Sequence, residues 1–234
     1  MLRAVLFDLD DTLFDHRHSS RRALAELQSR VPELESIELD ELERTHLRIL
    51  NELHVGVLSG ALTLEAARER RFAELFSHYG IRKVPGMESE VRGSYRKVYR
   101  ESRRAKPGVI PLLGALRARA LKIGIVSNNV LEEQIGKLHA CGLTELIDSL
   151  TISEEAGVAK PDVRIFQIAL ERMACAHYEV VMIGDSWTND ILPARQLGMR
   201  TIWYNSFGVA SPDPSVSCIT SFEDTSAVLE LILA

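Results

Sequence analysis

The sequence is poor in cysteine and has no apolar run of membrane-spanning length. Its three cysteines, Cys141, Cys175 and Cys218, lie far apart and form no C-x-x-C pair. This spacing argues against a zinc knuckle or a thioredoxin-like redox pair and favours a reducing environment. The longest apolar runs fall well short of the roughly 20 residues that a helix needs to cross a bilayer.

An excess of positive charge is also absent, since 28 Lys and Arg face 33 Asp and Glu, for a net charge of −5. Nothing global therefore attracts nucleic acid or an anionic membrane. The first residues, MLRAVLFD, carry one basic side chain and an early acid, which is unlike a signal peptide, and we expect a cytoplasmic protein. A chain of 234 residues can form one large α/β domain or a core with an inserted domain.

The first 104 residues show two different patterns of apolar residues. Residues 2–7 are mostly apolar and end in acids, which predicts a buried strand. Residues 16–104 are helical in pattern, and we see no strand there. One predicted helix in this segment has an apolar face built from leucines, which are Leu39, Leu42, Leu47, Leu50 and Leu53. Thr63 is a candidate N-cap for the next helix.

After residue 108 predicted helices alternate with predicted strands. The helices are 109–120, 131–141, 162–174, 189–197 and 222–233. The strands are 122–127, 149–152, 179–184, 200–204 and 217–220. Such alternation predicts an α/β fold with a parallel sheet. The expected organisation is a core of residues 1–15 and 105–234, interrupted by an all-helical insertion, 16–104.

Acids and small polar residues follow the ends of several predicted strands. They are Asp8, Asp10, Asp11 and Thr12 after the first, Ser127, Asn128 and Asn129 after the second, Lys160 after the third and a predicted loop, 153–159, and Asp185, Ser186, Asn189 and Asp190 after the fourth. In open parallel sheets, ligands bind outside the carboxyl ends of the strands. Carboxylates gathered at one edge repel one another unless a cation binds between them. Oxygen ligands without a nearby His or Cys favour Mg²⁺ over zinc as that cation.

These residue types suit covalent phosphoryl transfer. A carboxylate can act as a nucleophile and form an aspartyl-phosphate. A metal ion and a lysine can offset the repulsion between that carboxylate and a phosphate. A second acid nearby can protonate the leaving oxygen and then activate water.

Four segments resemble the motifs of the haloacid dehalogenase-like (HAD) superfamily, in order and in spacing. Residues 7–13 (FDLDDTL) resemble D-x-D-x-T, and residues 126–128 (VSN) resemble a strand that ends in Ser or Thr. Residues 158–162 (VAKPD) resemble the Lys-Pro motif, and residues 183–190 (IGDSWTND) resemble G-D-x-x-x-N-D. The resemblance implies a Rossmann-like core with a parallel sheet, and a helical cap at residues 16–104.

The resemblance also implies a role for each matching residue. Asp8 is the expected nucleophile and Asp10 the expected general acid and base. The expected Mg²⁺ ligands are Asp8, the backbone carbonyl of Asp10, and Asp185. Asp190 is expected to assist from the second coordination shell of the ion, although a plain first-turn helix acid is nearly as good an interpretation of that residue.

Ser127, Asn128 and Lys160 are expected to contact the substrate or the nucleophile. Ser127 is expected to bind phosphate through its hydroxyl, with the Asn128 backbone beside it. Lys160 is expected to steady Asp8 and the phosphoryl oxygens, and Thr12 to hold the turn after the first strand.

Segments 152–161 (ISEEAGVAKP) and 13–14 (LF) resemble the pyrimidine-nucleotidase-like phosphatases within this superfamily. The implied function is a Mg²⁺-dependent phosphatase for a small phosphomonoester, such as a nucleoside monophosphate. A sugar-phosphate phosphatase and a phosphomutase remain open as alternatives. A 2-haloacid dehalogenase is disfavoured by Asp10, and a regulatory phospho-acceptor module by the helical insertion. Neither the oligomeric state nor the individual substrate is indicated.

Overall fold

The chain divides into two units, one built from both of its ends and one from a single internal segment. The first comprises Met1–Asp15 and Arg104–Ala234, and the second comprises His16–Arg103. The structure, a computed structural model, describes residues 1–82 and 87–234, apart from the side chain of Glu88. Within those residues no helix is both long enough and apolar enough to cross a membrane.

Among its described residues, the internal unit contains helices and no strand. Its helices are α1 (His16–Arg30), a 3₁₀ turn (Pro32–Leu34), α2 (Leu39–Leu58), α3 (Leu64–His78) and α4 (Met87–Glu101). Thr63 begins α3 as predicted, because its side chain accepts a hydrogen bond from the N–H of Ala66.

The predicted inner face of α2 is partly wrong. Leu42 and Leu53 are buried as expected, but Leu47 is 47% exposed, whereas His46 and Ile49 are buried. With roughly 3.6 residues per turn, a face that contains Leu42 and Leu53 also contains positions 46 and 49 and leaves position 47 outside. The unit therefore buries a histidine where a leucine was expected.

The other unit contains a six-stranded sheet. Its strands are β1 (Ala4–Phe7), β2 (Lys122–Ser127), β3 (Ser149–Ile152), β4 (Val180–Gly184), β5 (Arg200–Tyr204) and β6 (Ser217–Ile219). Their order is β3-β2-β1-β4-β5-β6, and every neighbouring pair is parallel. The predicted α/β class with a parallel sheet is confirmed.

Helices connect these strands. They are α5 (Val109–Arg117), α6 (Leu131–Ala140), α7 (Ser153–Ala156), α8 (Val163–Met173), α9 (Leu192–Gln196) and α10 (Thr225–Leu233), with 3₁₀ turns at Thr144–Leu146 and His177–Glu179. Two predictions need correction. The expected loop after β3 contains the single turn α7, which ends at Gly157 with φ +65°. The last helix begins at Thr225 rather than near 222, because the Asp224 side chain caps it.

The strand order creates a reversal point beside β1. The chain builds β2 and β3 on one side of β1 and then crosses to build β4, β5 and β6 on the other. Phe7 pairs with Ile125 on one side and with Ile183 on the other. Ligands of open α/β sheets bind at the carboxyl end of such a reversal point, which here is where Asp8 leaves β1.

Candidate active site

Strand β1 delivers Asp8 to the carboxyl edge of the sheet. The Asp8 N–H donates to the carbonyl of Ile183 (2.9 Å), so strand pairing still holds the residue. Its side chain is buried. Oδ1 accepts a hydrogen bond from Lys160 Nζ (2.6 Å), whereas Oδ2 is buried without a hydrogen-bond partner among the described residues. A buried oxygen without a hydrogen-bond partner destabilises the folded protein unless a ligand binds to it. Oδ2 therefore marks a position where a cation or substrate can bind.

A tight turn follows β1 and directs Thr12 towards the end of β4. Asp11 adopts φ +62°, and the N–H of Leu13 donates to the carbonyl of Leu9 (3.0 Å). The buried Thr12 hydroxyl accepts from the N–H of Asp185 (3.0 Å) and lies 3.4 Å from Asp185 Oδ1. Thr12 therefore joins the turn after β1 to the loop that carries Asp185.

Lys160 lies between two carboxylates. Its Nζ donates to Asp8 Oδ1 and to Asp190 Oδ1, both at 2.6 Å. The Asn128 side chain holds the backbone of this lysine. Its Oδ1 accepts from the Lys160 N–H (2.7 Å), and its Nδ2 donates to the Lys160 carbonyl (2.8 Å). The side chain of Asn128 thus positions the segment that presents Lys160.

A π-helical turn, Trp187–Ile191, presents Asp190 to this lysine. The predicted helix at 189–197 begins earlier, with this turn, because the Ser186 hydroxyl accepts from the Asn189 N–H (3.2 Å). Asp190 is fully buried, and its Oδ2 accepts from the Ser186 N–H (2.9 Å). A Cβ at Gly184 would lie 2.5 Å from the Asp190 side chain. The glycine therefore makes room for the carboxylate at the strand end.

Asp8, Asp185 and Asp190 form a carboxylate triad, in which one oxygen from each lies within 4.8 Å of the others. Burial raises the pKa of Asp8 to about 7, Lys160 opposes this rise, and Asp190 adds to it. Burial, followed by the charges of Asp8 and Asp190, raises the pKa of Asp185 well above its ordinary value. Burial alone would lower the pKa of Lys160, but its two carboxylate neighbours outweigh burial and raise it.

The carboxylate triad suits a hard divalent cation. One lysine, Lys160, faces three carboxylates, and Oδ2 of Asp8 has no hydrogen-bond partner among the described residues. All three members offer carboxylate oxygens, with neither nitrogen nor sulfur among the candidate ligands. Such a donor set fits Mg²⁺ better than zinc.

Helix α6 holds the carboxylate of Asp10. Lys137 Nζ donates to Asp10 Oδ1 (2.5 Å) and Oδ2 (2.8 Å). Gln134 Nε2 donates to Asp10 Oδ2 (3.0 Å) and to Ser127 Oγ (2.6 Å). One glutamine therefore links the expected general acid and base, Asp10, to the expected phosphate-binding residue, Ser127.

Gln134 and Lys137 were not predicted from the sequence. Both are buried, whereas Ile135 between them is 49% exposed. Apolar periodicity favours an inward Ile135, so it obscures the polar face of α6. The available signal was the spacing of Gln134, Lys137 and Leu138, which puts all three on one side of a helix.

The structure thus collects the predicted residues into two sets. The first contains Asp8, Lys160, Asp185 and Asp190, with Asn128 behind the lysine. The second contains Asp10 and Ser127, which share Gln134. The charge of Asp10 contributes to the raised pKa of Asp8, so both sets belong to one electrostatic environment.

Comparisons with known proteins match most of the chain. A family model described as haloacid dehalogenase-like hydrolase matches residues 2–198. The chain is 30% identical to the pyrimidine 5'-nucleotidase YjjG of Escherichia coli over 210 residues, which cover 89% of this chain and 88% of that protein. It is 29% identical to the glyceraldehyde 3-phosphate phosphatase of Methanothermobacter thermautotrophicus over 207 residues, or 88% and 87% of the two chains.

A solved structure extends the similarity to the whole fold. The magnesium-bound HAD-hydrolase YfnB of Bacillus subtilis superposes with a TM-score of 0.78 and 26% identity, covering 98% of this chain and 99% of that one. The family match spans all four motifs, and the relatives include a pyrimidine nucleotidase, as the resemblance predicted. The chain is therefore a hydrolase, and it belongs to the haloacid dehalogenase-like hydrolase family.

Proposed function

We propose that this protein is a Mg²⁺-dependent phosphatase that hydrolyses a small phosphomonoester through an aspartyl-phosphate on Asp8. The observation that carries the proposal is the asymmetry of the Asp8 carboxylate. Lys160 fixes one oxygen, while the other is buried and unpartnered. A positioned carboxylate with one available oxygen is what a covalent nucleophile needs.

The reaction has two steps. Oδ2 of Asp8 attacks phosphorus and forms an oxygen–phosphorus bond, while the bond from phosphorus to the leaving oxygen breaks. Asp10, which enters this step protonated, gives its proton to that leaving oxygen and becomes a carboxylate. Asp10 then takes a proton from water, whose oxygen attacks phosphorus and releases the Asp8 carboxylate. The products are an alcohol and inorganic phosphate.

Other residues of the chain bind and balance the phosphoryl group. Ser127 Oγ accepts from Gln134 Nε2, which leaves the serine hydrogen for a phosphoryl oxygen. Lys160 offsets negative charge beside Asp8, and Asn128 keeps that lysine in place.

Asp8, the Asp10 carbonyl and Asp185 would hold Mg²⁺, with Asp190 behind them. When bound, the ion reduces the repulsion between carboxylate and phosphate and stabilises charge in the transition state.

A small soluble metabolite is the proposed substrate. One relative is named a pyrimidine 5'-nucleotidase and another a glyceraldehyde 3-phosphate phosphatase. Nucleoside monophosphates are therefore the first class to test, and sugar and triose phosphates the second. The proposal includes residues 1–15 and 105–234 as catalytic core and residues 16–104 as cap.

A panel of phosphate esters, assayed with Mg²⁺ and with a chelator, tests the proposal. We expect phosphate release that requires Mg²⁺ and falls about 10³-fold or more in Asp8→Asn. Asp11→Asn is the matched control, since it makes the same change three positions away in the turn, and its kcat should stay within about threefold of wild type. Activity that persists in Asp8→Asn, or in the chelator, would refute the proposal.

The same panel separates the alternatives. A phosphomutase would convert a sugar monophosphate to its isomer when a bisphosphorylated sugar is added. A dehalogenase would release halide from a 2-haloacid without metal.

A further inference from the structure

We propose that Lys137 and Gln134 are positioning residues for catalysis, fixing the Asp10 carboxylate and orienting the Ser127 hydroxyl. The inference rests on the proposed function, because it explains how the acid/base residue and the phosphate-binding hydroxyl are held. It assigns a role to a face of α6 that lies outside the four motifs.

Lys137 restricts the carboxylate of Asp10 to one orientation. Its Nζ donates to both oxygens, at 2.5 and 2.8 Å, so rotation of the carboxylate breaks at least one of these bonds. The lysine side chain is only 4% exposed, and a buried ammonium needs its counter-charge. Nζ also lies 5.3 Å from the centre of the Phe14 ring, which limits the other positions that the ammonium can take.

Gln134 couples the positions of Asp10 and Ser127. Its amide nitrogen carries two hydrogens, so it can donate to Asp10 Oδ2 and to Ser127 Oγ at the same time. A flipped amide would place its carbonyl oxygen against the Asp10 carboxylate, and that repulsion selects the observed orientation. Because Ser127 Oγ accepts from Gln134, the serine hydrogen points elsewhere and can meet a phosphoryl oxygen.

Positioning and plain structural support predict different kinetics. A residue that only stabilises the fold should affect all substrates alike once the protein is folded. A residue that aims Asp10 matters most when the leaving oxygen is strongly basic and depends on the proton that Asp10 supplies. The ratio of activities on two esters with different leaving groups therefore separates the two interpretations.

The test compares p-nitrophenyl phosphate, which has a good leaving group, with an alkyl phosphate, which has a poor one. In Lys137→Met we expect kcat to fall about 10-fold on the first ester and about 100-fold on the second, with KM within about threefold. Gln134→Leu should shift the ratio in the same direction, and Lys137→Arg should recover part of the loss. Lys122→Met is the control, because Lys122 donates to the carbonyl of Met173 (2.7 Å) and has no assigned role in the site.

A double-mutant cycle with Asp10→Asn completes the test. If Lys137 acts through Asp10, adding Lys137→Met to Asp10→Asn should lower kcat by no more than about twofold. Multiplicative losses, or equal losses on both esters, would overturn the inference. Lys137→Gln replaces Lys137→Met in the same cycle if the methionine variant does not fold. Asp8→Asn is assayed in parallel, so that activity independent of Asp8 refutes the proposed function, whereas multiplicative losses with Asp8 essential refute only this inference.

Discussion

Lys160 in the sheet unit and His46 in the helical unit are buried in opposite electrostatic environments. In the sheet unit, Lys160 lies between Asp8 and Asp190, and the attraction of these carboxylates keeps it protonated despite burial. In the helical unit, His46 is 2% exposed, and its Nε2 has no hydrogen-bond partner among the described residues. Burial, and then the positive charge of Arg71, lowers the pKa of His46 well below its ordinary value.

The sign of the neighbours therefore decides the state of a buried group. Aromatic rings surround the histidine, with the Tyr95 ring centre 5.4 Å and the Phe72 ring centre 6.4 Å away. The Arg71 guanidinium lies over the same two rings. Rings attract a cation but do not neutralise it. Lys160 is therefore charged although it is buried, whereas the buried imidazole of His46 stays neutral.

The largest expected effect comes from removing the positive charge of Lys160. Lys160→Met leaves Asp8 and Asp190 buried and facing each other, so the nucleophile is neither positioned nor compensated. We expect kcat to fall about 10³-fold and the free energy of unfolding to fall by about 3 kcal/mol. Steady-state kinetics and urea unfolding measure both. A loss of less than tenfold in kcat would contradict the role given to this lysine.

Two glycine-to-alanine substitutions, one in each unit, test how closely the side chains pack around the glycine. Gly184→Ala places a methyl group 2.5 Å from the Asp190 side chain, which must then move from Lys160. We expect kcat to fall about 10- to 100-fold and stability to drop by about 2 kcal/mol.

Gly93→Ala in α4 is the control from the helical unit, since no atom of the described neighbours lies within 4 Å of its added methyl. It should raise stability by about 0.5–1 kcal/mol. Thermal unfolding of both variants is the measurement, and equal effects would show that Gly184 has no special fit with Asp190.

Mg²⁺ and protons are expected to compete for the same carboxylates. A carboxyl group whose pKa is raised by folding stabilises the protein at low pH, and this contribution is lost as pH rises through the folded value. For Asp8 that value is about 7, and the pKa of Asp185 is also raised. The metal-free protein should therefore weaken towards pH 8, where Mg²⁺ replaces the missing protons.

The thermal shift produced by Mg²⁺ should be larger at pH 8 than at pH 5. A concentration 100 times the dissociation constant would add about 2.7 kcal/mol of stability at pH 8. Scanning fluorimetry with Mg²⁺ and with chelator measures the shift, and Asp185→Asn should reduce it. Equal shifts at both pH values would contradict the proposed competition between protons and the cation.

The smallest effect is expected at His46. Because burial lowers its pKa in the folded state, its contribution to stability is present above the ordinary value and lost as pH falls below it. His46→Phe should therefore reduce the difference in unfolding free energy between pH 7.5 and pH 5.5. His78→Phe, at an exposed position near the end of α3, should leave that difference unchanged. Urea denaturation at both pH values decides, and parallel pH profiles for the wild type and His46→Phe would contradict the buried neutral ring.

Some elements of this protein follow from the sequence more directly than others, for identifiable physical reasons. Strands β2 and β5 were predicted with their observed bounds, 122–127 and 200–204, because each is a short run rich in β-branched and apolar residues with turn signals beside it. The inward face of α2 was predicted less well, since its leucines do not all lie on one side. His46 was missed because a polar residue inside a core has no periodic signal of its own.

The sequence by itself determined the α/β class, the order of strands and helices along the chain, and the types of side chain that follow each strand. These features depend on local patterns of apolar and polar residues, which are visible in a single chain. Only the tertiary structure decided which oxygen of Asp8 meets Lys160, that Gly184 makes room for Asp190, and that Lys137 holds Asp10. The two lysine contacts join residues far apart in sequence, and the fit of Gly184 depends on the π-helical turn that carries Asp190. The energies of all three depend on distance and burial, which no local pattern encodes.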